Sequence, residues 1–292
     1  MRERPDYGGM IDDRVTIFMP VRHFHAGFLR QAVASVFAQT RTDWKLLIVG
    51  DPAEGGHFRQ VLADEISDPR VRVIDREGRR LAGAYNSAMR SADTEFIAAL
   101  LGDDMLAPNA VEVLGKHIRS HPATDFFHSG RYFIDANNVR VSSEYLPRSS
   151  FTNENFWKMS PVKHLLCWRR SMGLACGGVD ETLDNFGSDD LDFPWSMFEH
   201  GAVFTAIPHA LYVFRDHRDG YRLTTHVTRD VQLNGLRRIL EKHGTPPAVV
   251  AARLRYARRT YLRQSLFRSP LHRWIMEKMG FNANAGWHES YR

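Results

Sequence analysis

Three short stretches of this sequence concentrate groups that can do chemistry. Gly102-Asp103-Asp104 sets two carboxylates side by side. Adjacent carboxylates repel, and a divalent cation relieves the repulsion. Mg²⁺ takes oxygen ligands and is often shared with substrate phosphates, and Mn²⁺ accepts the same ligands. Gly-Asp-Asp is equally good turn chemistry, so metal site and solvated turn stand level on this stretch alone. Gly187-Ser188-Asp189-Asp190-Leu191-Asp192-Phe193-Pro194 places three aspartates within four positions. One is enough to cap a helix, and capping is the stronger reading of the stretch by itself. Three exceed that need, and a carboxylate beside bound phosphate or metal is a candidate general base. Phe214-Arg215-Asp216-His217-Arg218-Asp219-Gly220 sets a histidine among charges. Neutral imidazole ligates Mn²⁺ well and Mg²⁺ less well, although a lone histidine is more often structural or simply exposed.

The elements that would position these groups alternate. Val15–Met19 is an apolar run closed by Pro20, as in a buried parallel strand. Phe28, Leu29, Ala32, Val33, Val36 and Phe37 form a stripe at helical spacing. Trp44–Val49 predicts a second strand, His57–Ile66 a helix, Val71–Ile74 a third strand, Leu81–Ser91 a helix of small residues and Phe96–Leu101 a fourth strand. This order implies an open parallel sheet, and such sheets bind ligands at the carboxyl ends of their strands. Arg22-His23, Asp51 and Asp103-Asp104 all fall at such ends and would meet on one rim.

Beyond Pro108 the pattern is mixed. Val111–Ile118 reads as a helix. Asp125–Phe127 and Arg131–Ile134 read as short strands, with an Asn137-Asn138 turn leading to Val139–Val141. Met159–Arg170 is ambiguous. Pro194 opens a helix that Gly201 ends, and Ala202–Phe214 is strand-like around Pro208. From Arg229 the chain reads as helical, broken at Gly244–Pro247.

Taken in order, these segments resemble the family 2 glycosyltransferases of GT-A fold. Val15–Val21 resembles that family's opening strand, and Phe28–Thr40 its first helix. Leu47–Asp51 is similar to the segment that ends in paired aspartates, and Ala84–Ala88 to the Asn-containing helix. Gly102-Asp103-Asp104 resembles the DxD-type metal motif. Gly177–Glu181 resembles the turn ahead of the catalytic acid pair, and Asp189-Asp190 occupies that pair. Arg215-x-His217 resembles the late metal-contacting histidine. No one segment is specific; their shared order from Val15 to Gly220 is.

The resemblance implies a mostly parallel, Rossmann-like nucleotide-binding sheet, a mixed acceptor-binding half and a C-terminal helical tail. The expected divisions are 1–125, 126–235 and 236–292. It implies that Pro20, Val21, Arg22, Asp51, Asn86 and Asp103 bind the nucleotide-sugar donor, with Asp51 on the base. It implies that Asp104, with Asp103 and His217, holds Mn²⁺ or Mg²⁺. Asp190 would deprotonate the acceptor hydroxyl. One base and no enzyme nucleophile implies a single displacement with inversion, and a UDP-sugar is the expected donor. The chain departs from the pattern at Arg22, Gly50, Leu101 and Asp189, where Tyr, Asp, Asp and Glu are usual, and Pro194 opens its helix late.

Other classes fit less. His23-Phe24-His25 after the first strand resembles an amidohydrolase site, but that class needs an eight-stranded barrel and further metal-ligand histidines. A nucleotidyltransferase would carry a Gly-rich loop where Arg22–Gly27 stands. A non-catalytic module gripping an anionic surface through the tail is the third alternative. With 43% hydrophobic and 25% charged residues the composition is that of a globular domain that needs no disulfide, so Cys167 and Cys176 read as reduced thiols. No apolar leader or 18-residue apolar run is present, so a cytoplasmic protein is expected, with peripheral contact to the inner membrane face as an option. Residues 251–292 carry nine Lys/Arg against Glu277 and Glu289, a net +7 compared with +5 for the whole chain. That basic segment either packs on the domain or lies on an anionic membrane, which would suit a lipid-linked acceptor; glycans and small hydroxyl compounds are the other acceptors expected, and nucleic acid is not.

Overall fold

The computed structural model describes residues 11–183, 187–217, 228–268 and 278. The chain divides into two units, Met1–His226 and Val227–Arg292. The first unit opens with the expected alternation. Strand β1 (Val15–Val21), helix α1 (Ala26–Phe37), β2 (Lys45–Gly50), α2 (His57–Val61), α3 (Ala63–Ile66), β3 (Val71–Asp75), α4 (Arg80–Ser91) and β4 (Phe96–Ala99) follow one another. β1 pairs in parallel with β2 and β4, and β2 with β3. The one helix expected over His57–Ile66 is two, because Leu62 leaves helical dihedrals (φ −113°, ψ 28°) and is fully buried.

These strands are apolar on both faces because both faces are covered. Ile17, Met19, Leu46, Ile48, Phe96 and Ala98 join a core with Leu29, Ala32, Val33 and Val36 of α1 and with Val111, Leu114 and Ile118 of α5 (Ala110–Ser120). The alternate residues Phe18, Leu47, Val49, Ile97 and Ala99 join a second core. It contains Ala82, Tyr85, Ala88 and Met89 of α4, and Phe193 and Met197 of α8 (Phe193–Glu199). The period-2 alternation of the strands therefore assigns each helix its face. Tyr85 stacks on Trp168 at 5.6 Å and meets Phe18 edge-on at 4.6 Å. Each such contact adds about 0.5–1.5 kcal/mol beyond area burial.

The remaining strands are β5 (Met105–Leu106), β6 (Phe126–Ile134), β7 (Leu166–Arg169) and β8 (Phe204–Arg215). Two short helices, α6 (Asn153–Lys158) and α7 (Arg170–Ala175), flank β7. They complete an eight-stranded mixed sheet in the order β3-β2-β1-β4-β7-β6-β8-β5. The two short strands expected at 125–127 and 131–134 are one strand. Its register against β8 passes from Ser129↔Ile207 to Gly130↔Ala210, so Pro208 and His209 are skipped. Proline has no N–H for the ladder, and a bulge accommodates it. Gly130 faces the irregularity because a Cβ there would lie 2.6 Å from the Tyr145 carbonyl. Val139–Val141 is not a strand and returns through a single bridge, Ile134↔Arg140.

The second unit contains α9 (Arg229–Lys242) and α10 (Pro247–Arg268), separated at Gly244 (φ 62°). Arg255, Arg258 and Arg259 are exposed on α10. Leu271, Trp274, Ile275 and Met279, the side chains of 261–268 and Arg218-Asp219-Gly220 lie outside the described residues. Among the described residues no helix is long and apolar enough to cross a membrane. Cys167 and Cys176 are free thiols.

Candidate active site at the sheet rim

Pro20 and Val21 end β1, and the Val21 carbonyl accepts the Asp51 N–H at 3.0 Å. The rim thus joins the ends of β1 and β2, as expected. Asp51 is buried. Its Oδ1 accepts from the Ala53 N–H (3.0 Å) and from Arg76 (2.9 Å), and its Oδ2 lies 3.3 Å from Arg22 Nε. Burial raises its pKa, but the Ala53 N–H and the Arg76 and Arg22 guanidiniums outweigh that and hold it below the usual carboxylate value. Arg76 was not singled out in the sequence. Gly50 stands where an aspartate is usual because the Phe58 ring fills the space: a Cβ would lie 2.5 Å from it.

Asn86 does a different job from the expected donor contact. Its Nδ2 donates to the Val179 carbonyl (2.9 Å) and to Glu181 Oε1 (3.1 Å), and its Oδ1 accepts the Val179 N–H (2.8 Å). Both amide hydrogens are therefore committed to the 178–181 turn. Gly178 adopts φ +75°, and a Cβ there would lie 2.4 Å from Asn86 Oδ1. Glu181 continues the chain of contacts by accepting the Arg79 N–H at 2.7 Å.

The Gly102-Asp103-Asp104 pair is both a turn and an acidic site. The Asp104 N–H closes the turn on the Leu101 carbonyl at 3.1 Å. The two carboxylates then diverge. Asp104 is buried and accepts the Tyr212 hydroxyl (2.7 Å) and the Arg215 backbone N–H (2.7 Å). Asp103 is 30% exposed and lies 3.2 Å from His217 Nε2. Asp103 and His217 thus offer a hard oxygen and an imidazole nitrogen that fit Mn²⁺, with Asp104 beneath them as a strut rather than as the leading ligand. Among the described residues no group of three or more His, Cys, Asp or Glu is arranged to hold a metal, so such an ion would need donor phosphate oxygens to complete its shell.

Arg215 is fully buried, and its role is internal. Its guanidinium donates to the Asp103 carbonyl (2.8 Å), the Asp135 carbonyl (3.4 Å), Asn138 Oδ1 (2.5 Å) and Gln31 Oε1 (2.7 Å), over the Phe28 ring. Phe28 also packs on His217, with ring centroids 4.7 Å apart.

Asp189 and Asp190 lie in a wide π-type turn, Ser188–Asp192, where the Asp192 N–H reaches back to the Gly187 carbonyl at 2.8 Å. Such turns recur at functional sites. Asp192 stands at the cap position of α8, yet its side chain makes no capping bond there. Capping thus does not account for the cluster. Tyr85 directs its hydroxyl to Asp189 Oδ2 at 3.3 Å. Burial, reinforced by the charge of Asp190, pushes Asp189 up to about 7. Burial also raises Asp190, against the opposing charges of Lys163 and Arg131. The two carboxylates titrate as a pair. Ser160 donates to the Asp190 backbone carbonyl and ties the turn to the segment before β7.

The His23/His25 pair does not form a metal site. His25 Nδ1 caps α1 by accepting the Phe28 N–H (3.3 Å), and His23 pairs with Glu54 (2.9 Å). The structure is a mixed open sheet, not a barrel.

The family described as "Glycosyl transferase family 2" matches residues 16–172. An O-antigen biosynthesis protein, RfbC of Myxococcus xanthus, is 25% identical over 179 residues, which is 61% of this chain and 14% of that protein. The Escherichia coli UDP-Glc:alpha-D-GlcNAc-diphosphoundecaprenol beta-1,3-glucosyltransferase WfgD is 30% identical over 146 residues, 50% of this chain and 56% of that one. The chain thus spans about one seventh of the first relative and just over half of the second. Among solved structures, S. aureus TarS 1-349 in complex with UDP-GlcNAc superposes with a TM-score of 0.60 at 13% identity, over 82% of this chain and 71% of that one. The superposition shows a GT-A glycosyltransferase fold. With its family model matched over more than half its length and its fold shared, the chain belongs to glycosyl transferase family 2.

Proposed function

We propose that the chain transfers a sugar from a UDP-sugar to an acceptor hydroxyl with inversion, and that Asp190 is the general base. The observation that carries this is the Asp189–Asp190 pair. It is part-buried and free of capping duty, and burial raises both carboxylates above the ordinary value, which strengthens each as a proton acceptor. Asp189, held by Tyr85, keeps a proton near neutral pH and leaves one carboxylate for the acceptor hydroxyl. At the other end of the site, Asp51 presents a carboxylate to the base of the nucleotide, fixed by Arg22 and Arg76 beside Pro20 and Val21. Asn86 positions the 178–181 turn. Asp103 and His217 would hold Mn²⁺ or Mg²⁺, supported by Asp104. When bound, the ion neutralises charge on the departing diphosphate. With one base and no enzyme nucleophile in this reading, a single displacement inverts the anomeric centre. Residues 1–125 form the donor half in this reading, 126–235 the acceptor half and 236–292 the helical tail.

The WfgD name includes a UDP-sugar and a diphosphoundecaprenol acceptor, and that chemistry supports a UDP-sugar donor and a lipid-linked glycan acceptor here. The exposed Arg255, Arg258 and Arg259 suit peripheral contact with an anionic membrane. Pelleting with phosphatidylglycerol vesicles at low salt, lost at high salt, is the expected behaviour, and no pelleting at low salt would remove membrane contact. The function is tested by calorimetric titration of UDP, GDP and dTDP with and without Mn²⁺. UDP binding that needs the metal, and that Asp103→Asn abolishes, is expected. Equal binding of all three nucleotides without metal would overturn the donor assignment. Retained anomeric configuration in the product would overturn the role of Asp190.

A further inference from the structure

Helix α5 ends in two histidines to which sugar transfer gives no task. His117 lies in its last turn, and His121 is the residue that closes it. Residues four apart share one face of a helix. The two imidazoles stack there, with ring centroids 5.8 Å apart and planes 9° from parallel. His117 is half-buried and His121 is exposed.

The hydrogen bonds of the two rings fix their tautomers. His117 Nδ1 lies 2.9 Å from the Val113 carbonyl, which can only accept, so Nδ1 carries the hydrogen. His121 Nδ1 lies 3.2 Å from the His117 carbonyl and 2.9 Å from Ser120 Oγ. Ser120 gives its own hydrogen to the Lys116 carbonyl at 2.9 Å, so its oxygen also accepts from His121. Both Nδ1 atoms are therefore donors. In the neutral ring each Nε2 then keeps its lone pair, and among the described residues neither Nε2 makes a hydrogen bond. Metal-ligating histidines have this arrangement: the second nitrogen donates to a carbonyl and holds the ring in place.

The surroundings favour a cation. The last carbonyls of a helix carry partial negative charge. The two cations of the same turn are already engaged, Lys116 with Glu112 at 2.7 Å and Arg119 with Asp13. An ion about 2.1 Å from each nitrogen needs the nitrogens within about 4 Å of each other. His121 has left helical dihedrals (φ −130°, ψ 62°), and its exposed ring has room to tilt toward His117 and meet that limit.

We propose that His117 and His121 bind one transition-metal ion of the Zn²⁺, Ni²⁺ or Cu²⁺ class through their Nε2 atoms, with water completing its shell. Two histidines at this spacing on one helix face are a recurrent zinc-ligand pair. Among the described residues no group of three or more His, Cys, Asp or Glu is arranged to hold a metal, so the protein supplies two ligands and the site stays open. The ion would bridge the last turn of α5 and the residue after it, where the Thr124 N–H returns to the His121 carbonyl at 2.9 Å on the way into β6. The pair uses none of the residues assigned to sugar transfer. It also selects differently from Asp103 and His217, because imidazole without carboxylate disfavours Mg²⁺.

The test titrates the whole chain with Ni²⁺ and, separately, with Mg²⁺ by calorimetry, without UDP or acceptor. A Ni²⁺ site is expected that His117→Ala and His121→Ala each weaken by about tenfold or more and that His217→Ala leaves unchanged. Ni²⁺ should raise the melting temperature of the wild type and not that of His121→Ala, a substitution at an exposed position. Cu²⁺ bound in place of Ni²⁺ should show splitting from two ring nitrogens in its electron paramagnetic resonance spectrum, and from one in either variant. Ni²⁺ binding that His121→Ala leaves as it was, a site lost in His217→Ala but kept in His117→Ala, or Mg²⁺ bound there as tightly as Ni²⁺ would each overturn the pair.

Discussion

Replacing Asn86 with Ala separates a structural role from a ligand contact. The substitution deletes three hydrogen bonds of 2.8, 2.9 and 3.1 Å to Val179 and Glu181. Each is worth about 1 kcal/mol net, and an unpaired buried N–H adds desolvation cost. Val179 is 2% exposed, so its N–H has little access to water once Asn86 Oδ1 is gone. The expected loss is about 2–4 kcal/mol. In urea unfolding this appears as a lower midpoint with an unchanged slope. Calorimetric affinity for UDP with Mn²⁺ should stay within about threefold of wild type, because no Asn86 hydrogen is left for a donor. Turnover should fall, since the turn leads toward the loop that carries Asp190. The reasoning is refuted if UDP binding weakens tenfold or more while the urea midpoint does not move.

Gly50→Asp, which restores the residue usual in the family, should destabilise by about 1–3 kcal/mol through overlap with Phe58, and an unchanged melting temperature would count against that packing. The rate should rise with pH through neutrality as the Asp189–Asp190 pair ionises. Lys163→Gln should move that limb to higher pH, because the Lys163 charge favours the ionised form of Asp190; a limb shifted downward would contradict the placement. The same pair takes up protons on folding, so its contribution to stability declines as pH rises from about 4 to about 7, a slope that Asp189→Asn should reduce. His128 shows the opposite sign. Burial lowers it from 6.5 to about 4, so the unfolded chain binds the proton first and stability is lost as pH falls through that interval. The full effect is about 3 kcal/mol, and His128→Gln should flatten it in pH-dependent urea melts.

The parallel half was legible because its signals are local. Apolar runs ending at Pro20, Gly50-Asp51 and Gly102 place strands and their carboxyl ends without reference to the rest of the chain. Asp51 and Asp103 lie at the rim for that reason. What could not be read depends on distant partners. Asn86 looks like a ligand contact until Val179, 93 positions on, occupies its amide. Asp103 and Asp104 are indistinguishable in sequence, and Tyr212, 108 positions from Asp104, decides which faces inward. Lys163 fell in a stretch with no clear period, and only the pairing of β6 with β7 and β8 gives it a place. Tyr85 was visible as a helix residue, but its hydroxyl finds Asp189 only in the folded chain.

The guanidinium of Arg215 has a consequence for the order in which the rim can form during synthesis. It clasps Gln31, Asp103, Asp135 and Asn138, groups translated as many as 184 positions earlier. The pairings β3-β2, β2-β1 and β1-β4 involve no residue beyond Ala99, although later elements complete both cores that cover these strands. The acidic turn after β4 cannot settle. Asp104 waits for Tyr212 and for the N–H of Arg215, and Asp103 for His217. A nascent chain halted anywhere before β8 would hold the contacts of Asp51 with Arg22 and Arg76 yet lack the partners that fix Asp103 and Asp104, so the rim is completed only once β8 and His217 have been made.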